Sequence, residues 1–143
     1  MGNKVYNCPV EAAIDVIGGK WKPLILWWLH HRTHRFAELR RLIPGITEKM
    51  LTQQLRELEA DGIVHRRIYP TVPPKVEYSL TDYGRSLKRA LQAICDWGRI
   101  HMERINAVQV PPDRVAKASG TGSLTKKKPS GSGQYDIRYK AAR

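Results

Sequence analysis

Residues 43–62 read IPGITEKMLTQQLRELEADG, and the spacing inside this stretch decides the fold. Leu51, Leu55 and Leu58 recur at four and three residues, so a rotation of about 100° per residue sets them on one helix face. Lys49, Thr52, Gln53 and Arg56 fall on the other face or its flanks. Thr47 can cap the first turn, because its hydroxyl accepts from a backbone N–H that has no partner inside the helix. Gly62 supplies the left-handed residue that ends it. The reading is a helix from about Thr47 to Ala60 with a leucine seam behind and a polar face in front. The short turn Ile43 to Ile46, with its Pro and Gly, joins it to whatever precedes.

Towards the N-terminus, Phe36, Leu39, Leu42 and Ile43 mark a third helix, stopped by Pro44-Gly45. Trp21 to about His31 is nearly all apolar and tolerates Pro23 only in a first turn, which predicts a buried second helix. Val10, Ala13, Ile14 and Ile17 keep helical spacing in a first helix that opens at Pro9 and ends at Gly18-Gly19. Towards the C-terminus, Ile63 to Tyr69 and Lys75 to Leu80 read as two strands. In the second, Val76, Tyr78 and Leu80 alternate with Lys75, Glu77 and Ser79, and Pro70, Pro73 and Pro74 stiffen the connection. Thr81-Asp82 opens a long fifth helix with a stripe of Leu87, Leu91, Ile94, Trp97, His101 and Ile105, longer than a small core requires.

Helix, helix, helix, turn, helix, hairpin, helix is the order of a winged helix-turn-helix. The predicted class is α+β, mostly helical, with a two-stranded wing and a long C-terminal helix. Residues 1–105 form one domain. Residues 106–143 are rich in Gly, Ser, Lys and Pro, with little to bury, and read as a basic disordered tail.

The chain of 143 residues carries 25 Lys and Arg against 13 Asp and Glu, a formal charge of +12. Seventeen basic and eleven acidic residues lie up to Ile105, so the folded part is itself net basic and favours a polyanionic partner. The longest apolar run, Pro23 to Leu29, is far below the roughly 20 residues that span a bilayer. The expectation is a cytoplasmic protein, at the nucleoid when on DNA, with no membrane partner. Two cysteines without a Cys-x-x-Cys pair speak against a disulfide scaffold or structural zinc. No Gly-rich phosphate loop or paired acid and base stands out, so neither catalysis nor a cofactor is expected.

In a helix-turn-helix the second helix enters the major groove. Gln pairs with adenine and Arg with guanine, which makes Gln53 and Arg56 candidate base readers. Lys49, near the helix start, suits a phosphate. Thr47 and Thr52 complete the set, with Arg40 supporting from the preceding helix. Arg66, Arg67 and Lys75 flank the wing and suit the backbone or the adjacent minor groove. The plainer alternatives are a solvated helix face and wing charges that keep an edge strand from aggregating.

Cys8-Pro9-Val10-Glu11, Gly18-Gly19-Lys20-Trp21-Lys22, Phe36-Ala37-Glu38-Leu39-Arg40-Arg41, the run Leu51 to Glu59 and Val76-Glu77-Tyr78-Ser79-Leu80-Thr81 together resemble the HxlR-type regulators, a branch related to the MarR-type winged helices. The likeness covers roughly Cys8 to Ile105. It implies a homodimer held by the first and last helices, here through Val10, Ile14, Leu91, Ile94, Trp97 and His101. It also implies double-stranded DNA with an inverted-repeat operator, and control of transcription as repressor or activator, with a small-molecule or oxidant inducer.

Some members of that family sense oxidants through an N-terminal cysteine, a position that Cys8 matches. A cysteine before a helix that starts at Pro9 also lies at the positive end of the dipole, which favours thiolate, and Lys4 is near in sequence. The alternative is a structural thiol. Cys95, in the last helix, reads as core or interface. His30, His31 and His34 have no carboxylate or thiol beside them in their segment, so no metal is expected. Lys126-Lys127-Lys128 suits nonspecific DNA by counterion release, the plain alternative being a solvated run with no role. The rival function is a winged helix that binds protein instead of reading DNA.

Overall fold

The computed structural model describes residues 3–110, so Lys126-Lys127-Lys128 and most of the predicted tail lie outside it. Nine elements follow in order: α1 (Pro9–Ile17), α2 (Trp21–His31), β1 (His34–Arg35), α3 (Phe36–Leu42), α4 (Glu48–Ala60), β2 (Val64–Tyr69), β3 (Lys75–Leu80), α5 (Asp82–Arg85) and α6 (Lys88–Arg104).

Both ends of α4 are built as the sequence leads one to expect. The Thr47 hydroxyl accepts from the Met50 N–H at 3.1 Å. Gly62, at φ +73°, turns the chain so that Ile63 N–H reaches Leu58 O at 2.9 Å and Gly62 N–H reaches Glu59 O at 3.0 Å. That pair of bonds satisfies two of the carbonyls the helix end leaves open. Leu51, Leu55 and Leu58 are at most 1% exposed, and burial of each side chain contributes roughly 1.5–3 kcal/mol. They pack with Ile25, Leu26 and Leu29 of α2, Leu39 of α3, and Tyr78 and Leu80 of β3 in one core.

The sheet has three strands, all antiparallel, in the order β1-β3-β2. The two strands expected for the wing are β2 and β3, and β1 adds a third strand on the other side of β3 that the sequence reading does not include. β1 is two residues long and has no alternation to read, yet His34 pairs with Tyr78 and Arg35 with Glu77. His34 is 2% exposed, its Nδ1 lies 3.4 Å from Glu38 Oε2, and its ring meets Trp28 edge-on. Burial holds its imidazole below the ordinary histidine range, so the ring sits neutral in the core.

The predicted long fifth helix is divided. Thr81 caps it as expected, accepting from Gly84 N–H at 2.9 Å, but α5 lasts only one turn. Ser86 N–H to Tyr83 O and Leu87 N–H to Gly84 O are three-residue bonds that tighten the chain before α6 restarts at Lys88. The cause is packing: Gly84 is pressed against Ile63, whose carbonyl would lie 2.1 Å from any Cβ there. No helix among the described residues is long and apolar enough to cross a membrane.

Candidate nucleic-acid interface

With α2 packed on both α3 and α4, the leucine seam of α4 is committed inward and its opposite side faces out. Lys49, Gln53 and Arg56 are exposed there and Thr52 is half-buried, while Thr47 is exposed at the N-cap with its hydroxyl turned to the helix end. Gly45, at φ +83°, makes the tight turn between α3 and α4. Arg40 of α3 reaches across it to Glu48 in the first turn of α4 at 2.6 Å. The arginine is therefore a strut between the two helices, while half of its side chain stays accessible.

Behind this face lies a link that sequence reasoning missed. Lys22 of α2 has only 10% of its side chain exposed, and its Nζ lies 2.6 Å from Glu57 Oε2. The other oxygen of Glu57 accepts from Gln53 Nε2 at 3.2 Å. Lys22 and Gln53 beside it hold the Glu57 carboxyl below the usual carboxylate range. The residues are 35 apart in sequence and no periodicity connects them; the only signal is a lysine inside an otherwise apolar helix.

In the wing, the three predicted cations take different places. Arg67 and Lys75 stand 4.7 Å and 4.8 Å from the centre of the Tyr69 ring. Tyr69 donates to Glu77 Oε2 at 3.1 Å, and Lys75 Nζ pairs with Glu77 Oε1 at 2.9 Å. Lys75 holds the Glu77 carboxyl below its ordinary range, so much of the lysine's charge is compensated locally. Arg66 lies on the other face of the strand, opposite Tyr78, and is exposed.

Cys8 is exposed and occupies the N-cap of α1, with extended backbone at φ −156°. Lys4 is directed elsewhere than the sequence reading placed it. Its Nζ pairs with Asp15 at 2.8 Å and Tyr6 donates to the same oxygen at 2.6 Å, which holds the Asp15 carboxyl low and ties the N-terminal segment to α1.

Val10 and Ile14 of α1 and Ile94, Trp97 and Ile100 of α6 are 54–65% exposed. On α6, Leu91, Cys95, Gly98 and Met102 face the protomer, while Ile94, Trp97, Ile100 and His101 occupy the adjoining sector, with Trp97 and His101 stacked at 5.2 Å. Leu91, 4% exposed, is part of the protomer's own core. Ile100, three residues after Trp97, is absent from the predicted stripe, which steps from Trp97 by four to His101.

The family model for an HxlR-like helix-turn-helix matches residues 16–106. The chain belongs to the HxlR-like helix-turn-helix family. It is 58% identical over 105 residues to the HTH-type transcriptional regulator YtcD of Bacillus subtilis, covering 73% of this chain and 83% of that protein. Among solved structures, the redox regulator HypR in its oxidised form superposes with a TM-score of 0.62 at 56% identity, covering 64% of this chain and 95% of that one. HypR in its reduced form gives 0.66 at 52%, covering 69% and 98%. As an HxlR-like protein the chain is a winged helix-turn-helix transcriptional regulator, and its relatives are named as regulators, not enzymes.

Proposed function

We propose that this HxlR-like chain is a homodimer that binds an inverted-repeat operator in duplex DNA, with α4 of each protomer in a major groove. The observation that carries the reading is the outward side of α4, where Lys49, Gln53 and Arg56 stand exposed above a fully buried leucine seam. Thirteen residues make a rod about 20 Å long, which the major groove admits. Gln53 and Arg56 read base edges. Thr47, Lys49 and Thr52 contact phosphates or flanking edges, Arg40 holds α4 at its angle, and the wing adds Arg66, Arg67 and, with a smaller share, Lys75. Val10, Ile14, Ile94, Trp97 and His101 form the dimer surface, with Leu91 supporting it from inside. The domain is residues 1–105, and the basic remainder adds nonspecific affinity. The protein acts in the cytoplasm, at the nucleoid.

Arg56→Ala is expected to cost about 1–3 kcal/mol on the operator and to relax choice at one base pair, leaving random duplex nearly unaffected. Competition titrations on operator and random DNA at fixed salt read both. Equal losses on the two would reject a base-reading role.

Cys8 is the proposed oxidant sensor. Its exposure and its place at the N-cap of α1 support this, as does the likeness to a regulator described as redox-controlled. Oxidant is expected to change operator affinity of the wild type and to leave Cys8→Ser unchanged. A Cys8→Ser protein that still responds fully would remove Cys8 from the mechanism.

A further inference from the structure

The proposed contact of Gln53 with DNA sets up a second reading, which rests on α4 being the recognition helix. A glutamine amide can present either end to a base. Oxygen and nitrogen side by side match adenine, which offers an N–H donor at N6 and an acceptor at N7, whereas guanine offers two acceptors. An unrestrained glutamine rotates to suit, and discriminates weakly.

Here the amide is restrained. A carboxylate has nothing to donate, so the end of Gln53 that meets Glu57 Oε1 at 3.2 Å can only be its NH2. One N–H is thereby used, and Oε1 and the second N–H remain. That leaves one acceptor and one donor, the adenine set, and one donor too few for guanine. Glu57 is fixed in turn by Lys22, whose ammonium meets its other oxygen at 2.6 Å. Lys22 is anchored in the apolar body of α2, with nine-tenths of its side chain covered, so the restraint comes from the core and not from another mobile surface chain. The lowered carboxyl of Glu57 keeps both acceptors available at neutral pH.

We propose that Lys22 and Glu57 are positioning residues that lock the amide of Gln53 in the orientation selecting an A·T pair over G·C, without touching DNA themselves. Lys22 thus acts on base choice from behind the recognition helix, through the chain Lys22, Glu57, Gln53.

The test uses the full chain and a randomised duplex library. Wild type, Gln53→Ala, Lys22→Met, Lys22→Arg and Glu57→Gln are each selected, and melting temperatures are measured alongside. Glutamine at position 57 puts an NH2 donor in place of one Glu57 oxygen, so with its own oxygen kept towards Lys22 it presents a donor to Gln53 and no longer holds the Gln53 NH2. The base pair at which Gln53→Ala loses preference marks the contact. At that pair the wild type is expected to favour A·T by about tenfold, a preference that Lys22→Met and Glu57→Gln lose. Other operator positions keep theirs, Lys22→Arg retains the preference, and Lys22→Met adds no loss in a Gln53→Ala background. If Lys22→Met does not fold, Glu57→Gln carries the same measurement. Full preference in both variants, or an equal loss at every position together with a lower melting temperature, would overturn the positioning role. Failure of the wild type to enrich any sequence would instead reject α4 as a DNA reader, and this inference with it.

Discussion

Ile94→Glu is expected to leave each protomer folded, convert the protein to a monomer, and lower operator affinity about a thousandfold, the smaller end of the gap between specific and nonspecific binding. Ile94 is 54% exposed, so the fold does not depend on it. It sits on α6 beside Trp97, Ile100 and His101, in a sector that Leu91 and the protomer core leave uncovered. Large exposed apolar patches are uncommon on proteins that remain single, and α1 adds Val10 and Ile14. In a two-fold interface one substitution acts twice, so two carboxylates would be placed in a closed apolar surface, each costing several kcal/mol without a partner. Sedimentation gives the mass and circular dichroism the fold. A dimer of unchanged operator affinity would show that the exposed face of α6 serves something else.

Gly84→Ala is expected to remove about 3 kcal/mol of stability, the upper end of the usual range for overpacking, and roughly 12–20 °C of melting temperature. A Cβ there would lie 2.1 Å from Ile63 O and 3.1 Å from its carbonyl carbon, so backbone has to move. That backbone is shared. Thr81 donates from its hydroxyl to Gly62 O at 2.6 Å, accepts from Gly84 N–H at 2.9 Å, and gives its own N–H to Ile63 O at 3.0 Å. The end of α4, the start of the wing and the start of α5 thus meet in one knot, and displacing Ile63 disturbs the angle between α4 and the wing. Urea or thermal melts measure the loss; a shift of less than about 2 °C would mean the contact relaxes freely.

The parts legible in the sequence are those with a local physical cause. Leu51, Leu55 and Leu58 announce α4 by period, Thr47 and Gly62 by chemistry of the helix ends, and Val76, Tyr78 and Leu80 announce β3 by alternation. The features that escaped depend on contacts between distant residues. β1 has two residues and exists because His34 finds Tyr78; α5 breaks from α6 because Gly84 meets Ile63. The same holds for the site. The exposed side of α4 follows from its seam, but the partners of its cations do not. Lys75 meets Glu77, Arg40 meets Glu48, Lys4 meets Asp15, and Lys22 reaches Glu57. Leu91 fits a helical stripe equally well as core or interface, and only the packing of α6 against the body decides for the core. Apolar periodicity identifies which residues leave water, not what covers them.

The most direct measurement is a footprint of the full chain on duplex selected from a random pool at physiological salt. Two protected half-sites, related by a two-fold axis and centred roughly 34 Å apart on one face of the helix, are the expected pattern. A single unrepeated patch, or protection no stronger than on bulk competitor, would contradict a symmetric pair of α4 helices reading neighbouring major grooves.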